Sequence, residues 1–360
     1  MIHWQETASI VERLAATPGA GAALATVVRI EGSAYRRPGA RLLVEEGGAT
    51  SGCVSGGCLE ADVRETALAV LRSGSPRLRH YDTGADGAAP WGLGLGCEGA
   101  VDVFVQPVAD PFATSALRRA AELVAARAAF ALCTVVEGPR AGRALAWVPP
   151  PGAGAGGTGD AVLDAAIGEA AAGLLSRGET ALLSIDGRAV FVDALTPPPH
   201  LVVFGAGDDA RPLARVAAGV GFDVTVVDHR PAYLAAERFP PGVRLVERRA
   251  AEGVAGLGLG GRAFAIVQTH ALEHDRAWTR ALLAEPLAYL GVLGPRARTA
   301  DLLRELGAGA PAHLFAPVGL DVGAEGAEQI AVSIVAEALA VRAGRPAGHL
   351  RARGGSIHAG

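Results

Sequence analysis

The stretch HLVVFGAGDDARPLARVAAGVGFDVTVVDHR, residues 200–230, predicts a strand, a glycine turn, a helix and a second strand that ends in an acid. The first strand is wholly apolar, as a parallel strand buried on both faces requires. Residues 205–210 fit the pattern G-x-G-x-x-A, in which Gly205 makes the turn and Gly207 lets a pyrophosphate approach the backbone. Asp228 ends the second apolar run, where a carboxylate would accept a ribose hydroxyl. This stretch therefore predicts a Rossmann-type unit with a candidate dinucleotide site.

The two acids of the glycine turn leave it undecided whether a dinucleotide binds there. Asp208 and Asp209 stand where a diphosphate would meet the helix N-terminus, and carboxylates there suit the helix dipole but repel a dianionic ligand. They could instead simply cap the helix. Arg211 or Arg230 could neutralise them, and Arg230 could equally contact a 2′-phosphate. The fold and the ligand are therefore separate predictions.

Composition excludes several classes of protein. The chain has 360 residues, of which 50% are hydrophobic and 19% charged, and its net charge of −4 makes nucleic acid an unexpected partner. The N-terminal segment lacks the pattern of a signal peptide, and no run of about 18 apolar residues occurs. We therefore expect a cytoplasmic protein without a membrane partner. All 33 basic residues are arginine, which excludes a Walker-A lysine and a lysine Schiff base.

The length of the chain and its proline-rich stretches predict two domains. Residues 1–195 are expected to form an α+β domain, in which the Pro- and Gly-rich segment 149–160 is a flexible insert. Residues 196–343 alternate strands with helices, which predicts a Rossmann-like parallel sheet with helices on both faces. Residues 344–360 form a loosely held tail. The fold class is therefore α/β.

An arginine-rich loop in the first domain is one candidate site. The segment GSAYRRPGAR, residues 32–41, cannot be helical through Pro38 and concentrates positive charge. Arg36 and Arg41 are its candidate anion-binding residues. The alternative is a solvated, arginine-rich turn.

Cys58 is the candidate functional thiol. Gly56 and Gly57 precede it, and from residue 59 to 71 the apolar spacing becomes helical, so Cys58 lies near a helix N-terminus. Orphan amides and the helix dipole favour a thiolate there, so Cys58 could be a nucleophile, a sulfur carrier or a metal ligand. The alternative is a buried small residue in a tight turn.

The other cysteines predict no metal centre. Cys97 lies in a glycine-rich loop and could join Cys58, whereas Cys133 lies inside an apolar run and belongs to the core. The spacing of the four cysteines does not match a structural zinc site, and free thiols are expected in a cytosolic protein.

Three loops follow predicted strands of the second domain, at the sheet edge where parallel sheets bind ligands. His270 and His274 are four residues apart and could share a helical face, as contacts to a ligand, as metal ligands or as a helix cap. Arg296 begins a helix that could bind an anion or only face solvent. Asp321 follows the last strand and is expected at the same crevice.

Seven segments, in this order, resemble the XdhC/CoxI family of maturation factors for molybdenum hydroxylases. They are GSAYRRPGARLLV (32–44), GCVSGGCLEADV (52–63), GCEGAVDVFVQP (96–107), the GAG turn (205–207), TH (269–270), YLGVLGPR (289–296) and APVGLDVGA (316–324). The resemblance implies a protein that binds the molybdenum cofactor, a pterin that can carry a dinucleotide. It implies that the protein protects this cofactor while a cysteine desulfurase replaces an oxo ligand by sulfur. The loaded cofactor then passes to an apo molybdenum hydroxylase such as xanthine or carbon monoxide dehydrogenase.

The resemblance makes Cys58 the functional thiol, and the loop that holds Arg36 and Arg41 matches a family segment. We predict a cofactor chaperone rather than an enzyme, with both domains holding one cofactor and a homodimer as a candidate assembly. An NAD(P)-dependent oxidoreductase is one alternative, although only His270 and His274 offer acid–base groups. A nucleotide-regulated scaffold without catalysis is the other, and it would bind a nucleotide but no pterin.

Overall fold

The computed structural model describes residues 2–17, 19, 21–32, 34–82, 99–305 and 311–354. The chain divides into two compact units, Met1–Pro197 and Pro198–Gly360. None of the helices in the described ranges is both long enough and apolar enough to cross a membrane.

The first unit is built on two antiparallel sheets of five strands each. The first sheet contains β1 (Ala22–Gly32), β2 (Arg41–Glu45), β3 (Thr50–Gly52), β4 (Arg77–Asp82) and β5 (Gly99–Pro107), which pair in the order β3-β2-β1-β5-β4. The second contains β6 (Phe130–Val135), β7 (Ala144–Trp147), β8 (Ala155–Gly156), β9 (Ala181–Ile185) and β10 (Arg188–Leu195), in the order β8-β7-β6-β10-β9.

Four helices cover these sheets: α1 (Ile2–Ala16), α2 (Glu60–Ser73), α3 (Pro111–Ala125) and α4 (Ala161–Arg177). Helix α2 packs on the first sheet, and α4 packs on the second. Helices α1 and α3 share one core with strands of both sheets, in which the ring of Trp4 meets that of Phe130 edge-on at 5.9 Å. Local signals set the helix ends, since the Asp110 carboxylate accepts hydrogen bonds from the first amides of α3.

Part of residues 149–160, which we expected to be a flexible insert, packs within the first unit, whereas residues 149–153 are exposed. Strand β8 pairs with β7, and Thr158 is only 1% exposed and donates its hydroxyl to Asp164 at 2.7 Å. Gly156 has a φ of +89°, and an added Cβ would lie 2.3 Å from the Ala144 carbonyl oxygen. Glycines in this part of the segment permit close backbone approach, and the flexibility of the insert as a whole stays a prediction.

The second unit is a six-stranded parallel sheet with helices on both faces, as predicted. Its strands are β11 (His200–Phe204), β12 (Asp223–Asp228), β13 (Arg244–Glu247), β14 (Phe264–Val267), β15 (Tyr289–Val292) and β16 (Leu314–Phe315), in the order β13-β12-β11-β14-β15-β16. The strand order reverses beside β11, so the carboxyl ends of β11, β12 and β14 border the crevice where such sheets bind ligands.

The helices of the second unit are α5 (Ala210–Gly219), α6 (Leu272–Leu283), α7 (Arg296–Glu305) and α8 (Gly326–Arg342). Helices α5 and α8 cover one face of the sheet, and α6 and α7 cover the other. Because every central strand is buried on both faces, the apolar runs of the sequence are continuous rather than alternating. The expected tail, residues 344–360, is described only to residue 354 and contains one short 3-10 turn.

Candidate functional site

The Gly-Gly-Cys turn lies immediately before helix α2. The Cys58 side chain is free and exposed on this turn. Gly57 has a φ of +112°, and no atom of the described residues lies within 4 Å of the position that a Cβ would occupy there. An added Cβ at Gly56 would lie 3.4 Å from the ring of Tyr35, which is itself 76% exposed. The backbone and the thiol of this turn are therefore open to a ligand.

Ser55 and Glu60 fix the shape of the turn. The Ser55 hydroxyl oxygen accepts hydrogen bonds from the amides of Gly57 at 3.1 Å and Leu59 at 3.0 Å, and it donates to the Glu60 carboxylate. The Ser55 amide also donates to Glu60, at 2.8 Å. The turn is thus preformed, and a carboxylate stands at its base.

Cys53 belongs to the same network but differs from Cys58. Its sulfur lies 3.1 Å from Glu60 Oε1, and the thiol is half-buried. Burial, the hydrogen bond to Glu60 and the charge of that carboxylate raise the pKa of the Cys53 thiol. Cys53 therefore remains a protonated hydrogen-bond donor at neutral pH, and the exposed thiol of the turn is that of Cys58.

Arg36 and Arg41 are held in internal ion pairs. The Arg41 side chain is buried, with its Nη1 atom 2.7 Å from Asp193 Oδ2 and 2.8 Å from the Thr7 hydroxyl. The Arg36 guanidinium bonds both carboxylate oxygens of Glu6 at 2.7 Å. The expectation that Arg41 binds an anion is therefore contradicted, because its charge is buried and already compensated, and Arg41 is not solvated either. Anion binding by Arg36 stays a prediction.

The remaining cysteines are separate from the turn. Cys133 is 1% exposed in the core of the first unit, as expected, and burial raises its pKa. Cys97 and most of the glycine-rich loop around it fall outside the described residues. Within the described part of the chain, no group of three or more His, Cys, Asp or Glu side chains is arranged to hold a metal ion.

The glycine turn of the second unit follows strand β11. Gly205 has a φ of +111°, and a Cβ there would lie 2.6 Å from the Gln268 carbonyl oxygen, so only glycine fits. Asp228 reaches back to this turn and accepts a hydrogen bond from the Ala206 amide at 2.7 Å. The Asp228 carboxylate also accepts hydrogen bonds from the backbone amide of Arg230 and from two nitrogens of its guanidinium, at 2.8 to 2.9 Å. Burial opposes ionisation of Asp228, but these hydrogen bonds outweigh it and lower the pKa to about 2.

Each of the two acids beside Gly207 has a partner on another segment, an imidazole for Asp209 and a guanidinium for Asp208. Asp209 makes no capping bond to helix α5, contrary to the capping interpretation, and instead lies 2.7 Å from Nε2 of His270. Asp208 lies 3.1 Å from a guanidinium nitrogen of Arg238. Asp209 Oδ1 also lies 2.9 Å from where a Cβ on Gly207 would stand, so a carboxylate covers the glycine that a pyrophosphate would approach.

His270 and His274 do not share a helical face. His270 precedes helix α6 and has a φ of +60°, whereas His274 lies inside the helix and meets the ring of His229 edge-on at 4.7 Å. Arg296 is the exposed first residue of α7, and Asp321 is exposed in the loop before α8. Their predicted contacts to a ligand stay predictions.

A cavity of about 590 Å³ lies at the carboxyl edge of β11, β12 and β14. Its lining combines cationic, imidazole and apolar groups: Gly205, Val227, Asp228, His229, Arg230, Arg248, Arg249, Ala250, Ala251, Thr269, Ala271, His274 and Trp278. Arg248 and Arg249 were not predicted from the sequence. They directly follow a strand, however, and ligands bind beyond the carboxyl ends of parallel strands, which is the reason His270 was a candidate.

Comparisons with known proteins agree with this architecture. Residues 201–338 match the family model described as the XdhC Rossmann domain, and residues 15–82 match that of the XdhC and CoxI family. A protein of Bacillus subtilis (strain 168) described as a probable xanthine dehydrogenase subunit is 34% identical over 331 residues, which are 89% of this chain and 93% of that protein. The chain belongs to the XdhC and CoxI family.

Two further similarities support membership of the family. The molybdenum cofactor insertion chaperone PaoD of Escherichia coli (strain K12) is 42% identical over 84 residues, which are 23% of this chain and 25% of that protein. A crystal structure described as a xanthine dehydrogenase from Bacillus halodurans has a TM-score of 0.79 and 28% identity, covering 96% of this chain and 98% of that one. The family predicted from the seven segments is confirmed.

Proposed function

We propose that this protein binds the molybdenum cofactor as its cargo, holds it while a cysteine desulfurase supplies sulfur to the metal, and inserts it into an apo molybdenum hydroxylase. The client would be an enzyme of the xanthine or carbon monoxide dehydrogenase type. One observation carries the proposal: a member of the XdhC and CoxI family presents the exposed Cys58 thiol on a preformed turn. The name of PaoD, a cofactor insertion chaperone, points the same way.

The chemistry of the turn suits this cargo. A thiolate is a soft ligand that pairs with thiophilic metals, and it can also carry a sulfane sulfur. Cys58 is exposed two residues before the first residue of α2, so a ligand can reach its sulfur. In the part of the chain that the structure describes, no atom lies within 4 Å of a Cβ position at Gly57, which leaves room for a bulky metal centre beside Cys58.

An exposed aromatic ring adds a second contact for the cargo. Tyr35 lies against Gly56 and is 76% exposed, although large aromatic side chains are usually buried. A pterin is a flat heterocycle, and aromatic rings stack on such surfaces in offset arrangements. Tyr35 and Cys58 would thus bind two different parts of one cofactor, the ring system and the metal.

The test is cofactor retention in matched cysteine variants. The protein and the variants Cys58→Ser and Cys133→Ala are purified from cells that make the cofactor, and pterin and molybdenum are counted per chain. We expect one cofactor per chain in the parent and in Cys133→Ala, and strong loss in Cys58→Ser. If Cys58→Ser retained as much cofactor as the parent, the thiol would have no role in binding. If none of the three proteins contained pterin, the proposed function would be refuted.

A second assay separates this function from an NAD(P)-dependent oxidoreductase. Loaded protein is mixed with purified apo-hydroxylase, and the activity of the hydroxylase is followed with and without a cysteine desulfurase. A maturation factor restores activity that depends on both, whereas an oxidoreductase turns over NAD(P)H without either. A cytoplasmic location, a homodimer and the holding of one cofactor by both units stay predictions.

A further inference from the structure

The cavity of the second unit has an excess of positive charge on one wall. Arg248 and Arg249 directly follow strand β13, and among the described residues no carboxylate lies within ion-pair distance of either guanidinium. Arg248 donates to the carbonyl oxygens of Gly253 at 3.4 Å and Ala255 at 2.5 Å, which orient its side chain without cancelling its charge. These two arginines therefore form a cationic wall that favours an anion.

The acid of this cavity is not available to a ribose. Each oxygen of Asp228 already accepts two hydrogen bonds, from the Ala206 amide and from the backbone and guanidinium of Arg230, at 2.7 to 2.9 Å. A carboxylate has about four lone-pair positions, so all of them are used. Because Asp228 also neutralises Arg230, neither residue is free to form hydrogen bonds with the ribose hydroxyls of a dinucleotide.

The glycine turn likewise disfavours a diphosphate. In a Rossmann unit a pyrophosphate approaches the second glycine and the helix N-terminus. Here the Asp209 carboxylate covers Gly207, and Asp208 stands next to it. Asp208 is paired with the guanidinium of Arg238 and Asp209 with the imidazole of His270, but an added dianion would still meet two carboxylates at close range.

The other walls of the cavity suit a flat, largely apolar group. Val227 and Ala271 line it together with Trp278, whose ring packs at 4.5 Å on Phe204. The volume of about 590 Å³ lies within the range of sites for small molecules. An apolar wall next to a cationic one fits a heterocycle that carries a charged substituent.

We infer that this cavity binds a heterocycle bearing a phosphomonoester, with Arg248 and Arg249 binding the phosphate, and that it selects against ligands whose only phosphate is a diphosphate bridge. Two sources share this chemistry: the phosphate arm of a pterin, and a nucleotide phosphorylated on its ribose. The inference does not depend on Cys58 or on molybdenum, so it stands apart from the proposed function.

Isothermal titration calorimetry of the full chain tests the inference. The ligands are 2′-AMP, the monophosphate of 6-hydroxymethylpterin, adenosine and NAD+. Arg249→Gln removes one cation of the wall from an exposed position, and Arg215→Gln, on the exposed surface of α5 outside the cavity lining, is the matched control. Thermal unfolding verifies that both variants are folded.

We expect at least one phosphomonoester to bind about tenfold or more tightly than both adenosine and NAD+, which is the worth of a charge-assisted hydrogen bond. Arg249→Gln should remove this advantage, and Arg215→Gln should keep it. The tighter of the two phosphomonoesters identifies the source of the ligand. NAD+ binding as tightly as the phosphomonoesters, no binding of either phosphomonoester, or an unchanged affinity in Arg249→Gln would each overturn the inference.

Discussion

Replacing Asp193 by leucine should destabilise the first unit strongly. The Asp193 carboxylate is fully buried, lies 2.7 Å from Nη1 of Arg41 and accepts a hydrogen bond from the Thr180 hydroxyl at 2.8 Å. Without this carboxylate, the guanidinium of Arg41 remains buried with no ion-pair partner among the described residues, where its other hydrogen bonds go to the neutral Thr7 hydroxyl and the Gly39 carbonyl oxygen. Breaking a buried ion pair by removing one partner costs about 3–5 kcal/mol.

Differential scanning calorimetry measures this loss. For a unit of about 200 residues each kcal/mol lowers the Tm by about 2–4 °C, so Asp193→Leu should lower it by about 6–20 °C. The double variant Arg41→Met/Asp193→Leu replaces both charges by apolar groups and should recover most of the lost stability. It should also retain the cofactor, because Arg41 supports the fold rather than binding an anion.

Two results would refute this reasoning. A loss below about 1 kcal/mol in Asp193→Leu would mean that the pair is exposed to water, because exposed pairs contribute about that much or less. A double variant that is no more stable than Asp193→Leu would mean that the cost comes from packing rather than from the unpaired charge. In that case Arg41 would again be a candidate for binding a ligand.

Three further predictions follow from single positions. Gly205→Ala should lower the free energy of unfolding in urea by about 1–3 kcal/mol, because φ at this position is +111° and the new Cβ would lie 2.6 Å from the Gln268 carbonyl oxygen. An unchanged midpoint of urea unfolding would contradict this backbone conformation. Iodoacetamide should label Cys58 well before Cys133, because Cys58 is exposed whereas Cys133 is buried and burial raises its pKa. Peptide mass spectrometry gives the order of labelling, and equal rates would contradict the prediction. The pKa of Asp228 is lowered to about 2, so its stabilising effect is complete above about pH 4 and disappears as the pH falls through about 2. The free energy of unfolding should therefore change less with pH in this window for Asp228→Asn than for the parent. An identical dependence below pH 4 in both proteins would show that the carboxylate is not stabilised in the fold.

Short-range sequence patterns predicted most of the fold of the second unit. The two apolar runs of residues 200–230 became buried parallel strands, and the alternation of strands with helices predicted for residues 196–343 is present in the structure. These elements are predictable because a strand buried on both faces must be apolar along its whole length. The turn at Gly205 is equally local, since its positive φ admits only glycine without strain.

The first unit was less predictable, because its strands pair over long distances and several are very short. Strand β8 has two residues and exists only through its pairing with β7. Helix α3 begins with Asp110 and Pro111, a local capping signal that was not used to predict it. The composition of segment 149–160 likewise gave no sign that Thr158 would be buried.

The sequence by itself determined the α/β class, the family, the glycine turn and the position of Cys58 at the head of a helix. Each of these depends on residues that are neighbours in the chain. Only the tertiary structure decided which charges are available: Arg41 is neutralised by Asp193, which β10 brings beside it, whereas Arg248 and Arg249 keep their charge. The physical reason is that backbone geometry follows from short-range patterns, but the partner of a charged side chain is set by pairing between distant segments.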